Sequence, residues 1–332
     1  MLPRHARYSR RSFVSAAIAT AAGALARPAG ATPASSAAPS TVPATAPTSR
    51  PVGGPFVDFH THVGQTWNTT EDLSAANLLK WMDAHDVARA VVLPLVSPES
   101  SSFPLSTRFV LEQVAAHRDR LIPFCCIDPR TTINGGKKGV DDMLARYVDL
   151  GCRGFGEHKP GLPIDDPLST RLYAAAGRHK LPVLFHLDAI RNTDKPGLPG
   201  LEAVLKAHPE TTFVGHGPGF WASISGDVAT PAELGVYSKK RVTPGGALDR
   251  LLGAYPNLYA DLSAGSGAGA LSRDPAFATA FLIRRQDRLL FGTDYLAPGQ
   301  PVPQFDVLKS LDVPDAVRAK VYRENARRLL GL

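Results

Sequence analysis

Short runs of apolar and β-branched residues recur along the chain from residue 56 onward. Eight of them are predicted to be strands, and these are Val57–His62, Arg89–Leu95, Leu121–Asp128, Cys152–His158, Leu181–Leu187, Thr211–Gly217, Leu258–Ser263 and Leu289–Tyr295. They begin roughly 30 residues apart, with one longer step between the sixth and the seventh. Their nearly continuous apolar character is typical of parallel strands that are buried on both faces.

The stretches between these runs have the periodicity of helices. The clearest are Ala75–His85, Ser106–His117, Val140–Leu150, Ser169–His179 and Leu201–His208. Alternation of strand and helix eight times predicts an α/β fold, a (β/α)8 TIM barrel, over residues 56–332. A doubly wound open sheet is the alternative fold. The extra length at about 218–246 is predicted to be a loop over the active face, and the glycine-rich run 265–270 a flexible loop at the mouth.

The first 31 residues have the features of an export signal. Arg10 and Arg11 precede a short, weakly apolar run, which is the pattern of a twin-arginine signal peptide. That run is too short for a stable membrane anchor. Residues 32–55 are rich in Pro, Ala, Ser and Thr and are predicted to be a linker. We therefore expect the twin-arginine export machinery to carry the folded protein to the periplasm or the extracellular space.

The net charge of +7 belongs almost wholly to this leader. Its first 50 residues hold six arginines and no acidic residue, which leaves one positive charge for the rest of the 332-residue chain. A nearly neutral body argues against a nucleic-acid partner. The three cysteines are an odd set in apolar runs, so we expect buried thiols and neither a disulfide framework nor a zinc–thiolate site.

The ten histidines sort by their place in the predicted barrel. Four lie at helix ends, where imidazole is an ordinary capping choice, namely His85, His117, His179 and His208. Five lie at the carboxyl ends of strands, namely His60, His62, His158, His186 and His216. The carboxyl ends of the strands form the catalytic mouth of such a barrel. This separation predicts a histidine-rich active site.

Two of these histidines suit chelation of a metal ion. His60 and His62 are two residues apart on the first strand, so both side chains lie on one face. His186, His216 and Asp294 end the fifth, sixth and eighth strands. Nitrogen and oxygen donors that converge in this way favour Zn²⁺, with Mn²⁺, Fe²⁺ or Co²⁺ as alternatives.

At this point the chain resembles the amidohydrolase superfamily, and within it the amidohydrolase-related group that includes aminocarboxymuconate-semialdehyde decarboxylase and other nonoxidative decarboxylases. The resemblance covers about residues 56–332 and includes the closing stretch Tyr322–Leu329, which is similar to the terminal helix of the family. It implies that His60, His62, His186 and Asp294 hold the metal. It further implies that His216, together with Asp294, handles protons in catalysis.

Glu157, at the end of the fourth strand, departs from the carboxylated lysine of many binuclear members. Two roles stay open for it: bridging two metal ions, with His186 and His216 on the second, or orienting a ligand histidine. One or two ions per chain are therefore expected. His158 and Lys159 are alternatives for facing the substrate.

Three further residues are candidates for contact with a small-molecule substrate. They are Arg191, which would pair with a substrate carboxylate, and Trp67 and Trp221, which lie just past strand ends. The leading hypothesis is a metal-dependent hydrolase that attacks an amide, ester or lactone with a metal-activated water. The alternative is a metal-dependent nonoxidative decarboxylase of a small aromatic or unsaturated acid, and the third is an inactive binding barrel. A homodimer is compatible with the sequence.

Overall fold

The computed structural model describes residues 54–66, 69–134 and 136–332. The predicted signal peptide, nearly all of the predicted linker and Trp67 lie outside these residues. Within the described part of the chain, every helix is too short or too polar to cross a membrane.

The described residues form ten strands, all of them in parallel pairs. They are β1 (Phe56–Thr61), β2 (Val87–Val92), β3 (Leu121–Pro123), β4 (Phe155–His158), β5 (Leu162–Pro163), β6 (Val183–His186), β7 (Asn192–Thr193), β8 (Phe213–His216), β9 (Leu258–Asp261) and β10 (Leu289–Leu290). The eight predicted strands are all present, although most are shorter than predicted. The additional strands β5 and β7 pair only with each other.

The eight main strands close into a ring. One sheet has the order β1-β2-β3, and the other has the order β4-β6-β8-β9-β10. A parallel bridge from Cys125 to Phe155 joins β3 to β4, and one from Thr61 to Tyr295 joins β1 to the segment after β10. The fold is therefore the predicted (β/α)8 barrel, and the carboxyl ends of all eight strands open at one mouth.

Helices lie between the strands. They are α1 (Ala75–Ala84), α2 (Thr107–Val114), α3 (Gly136–Asp149), α4 (Pro167–Arg178), α5 (Pro199–Ala207), α6 (Pro218–Ala222), α7 (Ala247–Ala254), α8 (Ala264–Ser272), α9 (Pro275–Arg285), α10 (Gln304–Ser310), α11 (Asp315–Ala319) and α12 (Asn325–Leu330). Several begin at an N-cap that the sequence supplies. Ser74 and Ser106 accept hydrogen bonds from the amides of Asn77 and Phe109.

A layer of apolar side chains supports the mouth. Leu184 and Val214 each precede a mouth histidine by two residues, so they share its face of the strand. They pack in one cluster with Phe59, Phe124 and Leu290, and α12 adds Ala326 and Leu330 to it. The strand ends are thereby held on a close-packed base, which limits movement of the polar side chains above.

The glycine-rich run 265–270 corrects one prediction, because it belongs to helix α8 and is not a flexible loop. Gly267 explains the composition. A Cβ at this position would lie 2.2 Å from the carbonyl oxygen of Leu262. Small residues therefore allow α8 to approach the end of β9 closely.

Candidate metal centre

Six strand ends deliver seven polar side chains to one buried site. These are His60 and His62 from β1, Glu157 from β4, His186 from β6, His216 from β8, Asp261 from β9 and Asp294 just after β10. Six of the seven residues are at least 93 % buried, and the Asp294 side chain is 18 % exposed. All five residues predicted as metal ligands are thus brought to one place, together with an aspartate that was not predicted.

Three ligand atoms form a compact triangle. The Nε2 atoms of His60 and His62 lie 3.2 Å apart, and each is 3.4 Å from Oδ1 of Asp294. Bonds of about 2.1 Å to one tetrahedral ion separate its ligands by about 3.4 Å. The triangle therefore fits a single divalent cation.

Glu157 lies between this triangle and the remaining two histidines. Its Oε2 is 4.0 Å from Nε2 of His60 and 3.7 Å from Nε2 of His62. Its Oε1 is 3.0 Å from Nδ1 of His186 and 3.9 Å from Nε2 of His216. One carboxylate thus faces two histidine pairs. The described residues offer three donor sets, and two of them share this carboxylate: His60–His62–Glu157 and Glu157–His186–His216. The third is His60–His216–Asp261.

Hydrogen bonds fix which ring nitrogen of each histidine is free of a proton. The Nδ1 of His62 lies 2.9 Å from the carbonyl oxygen of Leu93, so it must donate. The Nδ1 of His60 likewise donates to Asp261, at 2.7 Å. When each ring is neutral, the Nε2 that faces the triangle therefore carries the lone pair that a metal ligand requires.

His186 is held on the Glu157 side of the site. Its Nε2 lies 3.0 Å from Oδ2 of Asp188. If that nitrogen carries the proton, the Nδ1 lone pair faces Oε1 of Glu157 at 3.0 Å. The ammonium group of Lys159 lies 3.0 Å from the same Oε1, so this contact does not by itself require a metal. The spacing of Glu157, His186 and His216 nonetheless fits a cation at this second position.

Buried charges perturb one another strongly here. Burial by itself would lower the pKa of His60, but Asp294, Asp261 and Glu157 raise that pKa to about 9. Burial would raise the pKa of Asp294, but His60 and His62 lower it to about 2. Burial and the charge of His60 both lower the pKa of His216, which stays neutral. The site thus holds ionised carboxylates and a neutral imidazole at pH 7.

Asp58 ties the two strands that carry the triangle. Its carboxyl group accepts hydrogen bonds from the amides of His60 and Thr293, each at 3.0 Å, and from the Thr293 hydroxyl. The next residue, Asp294, adopts a left-handed φ of 55° and donates its amide to the His60 carbonyl oxygen. A φ of this kind is uncommon outside glycine. The backbone therefore aims Asp294 at the two histidines.

Asp261 is the functional residue that sequence reasoning missed. It ends β9, the seventh main strand, much as Asp294 follows β10, the eighth. A carboxylate at this end of a barrel strand was the signal that could have identified it. Gly292 on the neighbouring strand makes room for it, since a Cβ there would lie 2.2 Å from Oδ1 of Asp261.

Trp221 corrects another expectation. It is buried, and its indole Nε1 donates to the Asp261 carbonyl oxygen, so it supports the site and does not line the mouth cavity.

The mouth opens into a cavity of about 360 Å³. His62, His186, His216 and Asp294 line it together with Lys159, Asp188, Ile190, Arg191 and Tyr237. Arg191, a predicted substrate contact, lies here and bonds Asp188 at 2.6 Å. Lys159 lies 3.0 Å from Glu157. His158, in contrast, is buried behind the mouth, where its Nε2 contacts the Ser169 hydroxyl.

A protein-family model described as Amidohydrolase matches residues 57–332. An uncharacterised TIM-barrel protein from Bordetella bronchiseptica superposes with a TM-score of 0.58 at 18 % identity, covering 83 % of this chain and 98 % of that chain. A probable 2-pyrone-4,6-dicarboxylic acid hydrolase from Acinetobacter baumannii, solved with citric acid, has a TM-score of 0.55 at 14 % identity, covering 83 % and 99 %.

A third similar structure is a dihydroxybenzoic acid decarboxylase from Polaromonas, solved with manganese and the inhibitor 2-nitroresorcinol. It has a TM-score of 0.54 at 14 % identity and covers 83 % of this chain and 97 % of that chain. Identities this low establish a shared fold. No curated protein matches the chain significantly.

Proposed function

This chain belongs to the amidohydrolase family, and we propose that it is a metal-dependent enzyme that removes the carboxylate of a small aromatic or unsaturated acid without oxidation. The observation that carries the proposal is the mouth cavity, which places the cationic side chains of Lys159 and Arg191 beside the candidate metal ligands. Its volume of about 360 Å³ suits an acid with one ring. The ring ligand of the Polaromonas decarboxylase is of this size class.

Charge balance explains how such an acid would bind. Four carboxylates lie in the site, those of Glu157, Asp188, Asp261 and Asp294, and Lys159 and Arg191 offset two of them. With His60 neutral, as a metal ligand must be, two negative charges remain and would repel an anionic substrate. A divalent cation compensates them and, when bound, supplies Lewis-acid polarisation of substrate oxygens. Lys159 and Arg191 then orient the carboxylate.

The proton inventory narrows the substrate class. Loss of CO₂ breaks a carbon–carbon bond and requires one proton at the carbon that remains. Asp294 is ionised and His216 is neutral, so both begin as proton acceptors. A hydroxyl group beside the substrate carboxylate can give its proton to one of them, and that residue then returns it to the carbon. The product phenolate regains a proton from water. We therefore expect hydroxyl-bearing acids to be the best substrates.

A second candidate function is hydrolysis of a lactone, ester or amide. The position of Glu157 between two histidine pairs favours it, because a site for two cations suits activation of a water molecule. Asp294 would accept the proton of that water and pass it to His216, and the protonated ring would then stabilise the developing negative charge on the substrate oxygen. The Acinetobacter neighbour is a probable hydrolase of this general kind.

The identity of the cation, the export route and the destination also remain proposals. The histidine and carboxylate donors accept Zn²⁺ or Mn²⁺, and we propose either as the native ion. We propose that Arg10 and Arg11 direct export by the twin-arginine route to the periplasm or beyond.

One assay separates the two reactions. Protein isolated from its native host is analysed for metal content and then incubated with hydroxybenzoic acids and with lactones. Decarboxylation predicts release of CO₂ at one per substrate consumed, whereas hydrolysis predicts one new carboxyl group, seen as acid release. The His216→Asn variant serves as the control for contaminating activity. Turnover of lactones without CO₂ from any acid would refute the decarboxylase proposal.

A further inference from the structure

We propose that Asp261 and Ser263, at the end of β9, are positioning residues that connect the candidate ligand His60 to His216 and fix the protonated ring nitrogen of both histidines. The proposal rests on the proposed function for the catalytic role of His216. The connection itself rests on geometry alone.

Three short contacts form a continuous chain. Oδ2 of Asp261 lies 2.7 Å from Nδ1 of His60 and 2.8 Å from Oγ of Ser263. The same hydroxyl oxygen lies 2.8 Å from Nδ1 of His216. Every member of the chain is at least 98 % buried, so water does not compete for these bonds. Neither Asp261 nor Ser263 lines the mouth cavity.

The direction of each hydrogen bond follows from counting protons. Oδ2 of Asp261 faces two hydrogen-bond donors, Nδ1 of His60 and the hydroxyl of Ser263, so its carboxylate accepts from both. The single hydroxyl hydrogen of Ser263 goes to that carboxylate. The Ser263 oxygen then accepts a hydrogen bond from the Nδ1–H group of His216. His216 is left with a bare Nε2, which is the nitrogen on the side of Glu157 and Asp294.

The surroundings are arranged for this role. Ser263 precedes helix α8 as its N-cap, yet its side chain makes no capping hydrogen bond and turns to His216. The second oxygen of Asp261 accepts the Ser263 amide at 3.0 Å. Gly292 leaves the space that the carboxylate fills. A serine used only to start the helix would cap it.

The Ser263→Ala variant tests the connection to His216 while leaving the bond between Asp261 and His60 in place. The first readout needs no activity. Protein labelled with ¹⁵N-histidine is studied metal-free by NMR, and the His216 signals are identified by their loss in His216→Asn. Wild type should carry the His216 proton on Nδ1, and Ser263→Ala should lose this preference. A wild-type proton on Nε2 would overturn the proposal.

Activity provides the second readout. Ser263→Ala should keep the wild-type metal content and KM, and its kcat should fall about tenfold, the effect of one lost buried hydrogen bond. Ser263→Thr should restore most of the rate. The double variant with His216→Asn should be no slower than His216→Asn alone, because Ser263 acts through that ring. An additional loss in the double variant would contradict this. Ser223→Ala, a buried serine that bonds the Gly219 carbonyl, is the matched control.

The Asp261→Asn variant tests the connection between Asp261 and His60. It should weaken divalent-cation affinity by about 10- to 100-fold, as loss of a ligand's supporting carboxylate does. Unchanged affinity, measured by chelator competition with Zn²⁺, would contradict the role of Asp261 toward His60. If no substrate is turned over at all, the proposed function fails, whereas the NMR and affinity results still decide this proposal.

Discussion

Removal of the bound cation is expected to lower the stability of the barrel measurably. The triangle of His60, His62 and Asp294 has the spacing of ligands around one ion, and Glu157 extends the site toward His186. An ion that binds only the folded state at 100 times its Kd stabilises that state by about 2.7 kcal/mol, and two such ions by about 5.4 kcal/mol. For a barrel of this size, 1 kcal/mol changes Tm by about 2–3 °C.

The expected decrease in Tm on chelation is therefore roughly 5–8 °C for one ion and about twice that for two. Calorimetry of protein dialysed against a chelator, and then refilled with Mn²⁺ or Zn²⁺, measures it. Elemental analysis of the same samples counts the ions. Glu157→Gln distinguishes the two roles of that residue, because bridging predicts loss of one of two ions and about half of the effect on Tm. The orienting role predicts one ion in wild type and in the variant.

A matched control excludes non-specific binding. His179 caps the C-terminal end of α4 just before β6, at the opposite end of that strand from His186, so His179→Gln should retain the full change in Tm. The reasoning is refuted if wild type holds less than about 0.1 ion per chain under saturating metal and its Tm does not respond, since the fit of the triangle would then be accidental.

Four further outcomes are expected. His216→Asn should keep at least one ion per chain but lose about 10²–10⁴ in kcat, and an unchanged kcat would contradict its role. His158, whose pKa burial lowers to about 3, stays neutral when folded, so its contribution to stability falls by about 1.4 kcal/mol per pH unit from about pH 6.5 down to 3. Urea unfolding of His158→Gln should lack this dependence relative to wild type. Asn325→Ala should cost about 2–4 kcal/mol in urea unfolding, because its amide donates to two buried carbonyls, those of Gln286 and Leu289. Lysine at both Arg10 and Arg11 should leave the protein in the cytoplasm by cell fractionation, and unchanged export would point to another route.

The barrel and its mouth can be predicted from the sequence because both follow from the pattern of apolar strands along the chain. Parallel strands buried on two faces are apolar throughout, and barrel geometry sends every strand end to one side. His60, His62, His186, His216 and Asp294 therefore meet as expected. Helix ends in this chain also hold histidines, such as His85 and His179, and these stay away from the mouth for the same geometric reason.

Ring orientation is the part that the sequence leaves undetermined. Nothing in the sequence of β6 shows that Asp188 forms a hydrogen bond with one ring nitrogen of His186, or that the other ring nitrogen faces Glu157. Asp261 was overlooked because an aspartate at a strand end is common, and its role depends on its contacts with Ser263, two residues further on, and with His60 of another strand. The prediction that Trp221 contacts the substrate was wrong, because a position just past a strand does not show whether the following helix turns the ring toward the mouth or into the core.

The free-energy cost of burying the charges of this site connects metal binding to folding. Four carboxylates lie in one site, and Lys159, Arg191 and the protonated His60 balance only three of them, so the metal-free barrel keeps uncompensated buried charge. Folding is then favoured when a cation is present to bind the completed site. The proposed twin-arginine signal would fit this requirement, because that route carries proteins that are already folded. If the site needs its cation to be stable, variants that lose metal should also be exported less. Reduced export of His60→Ala, with the signal intact, would show that the site and the leader depend on each other.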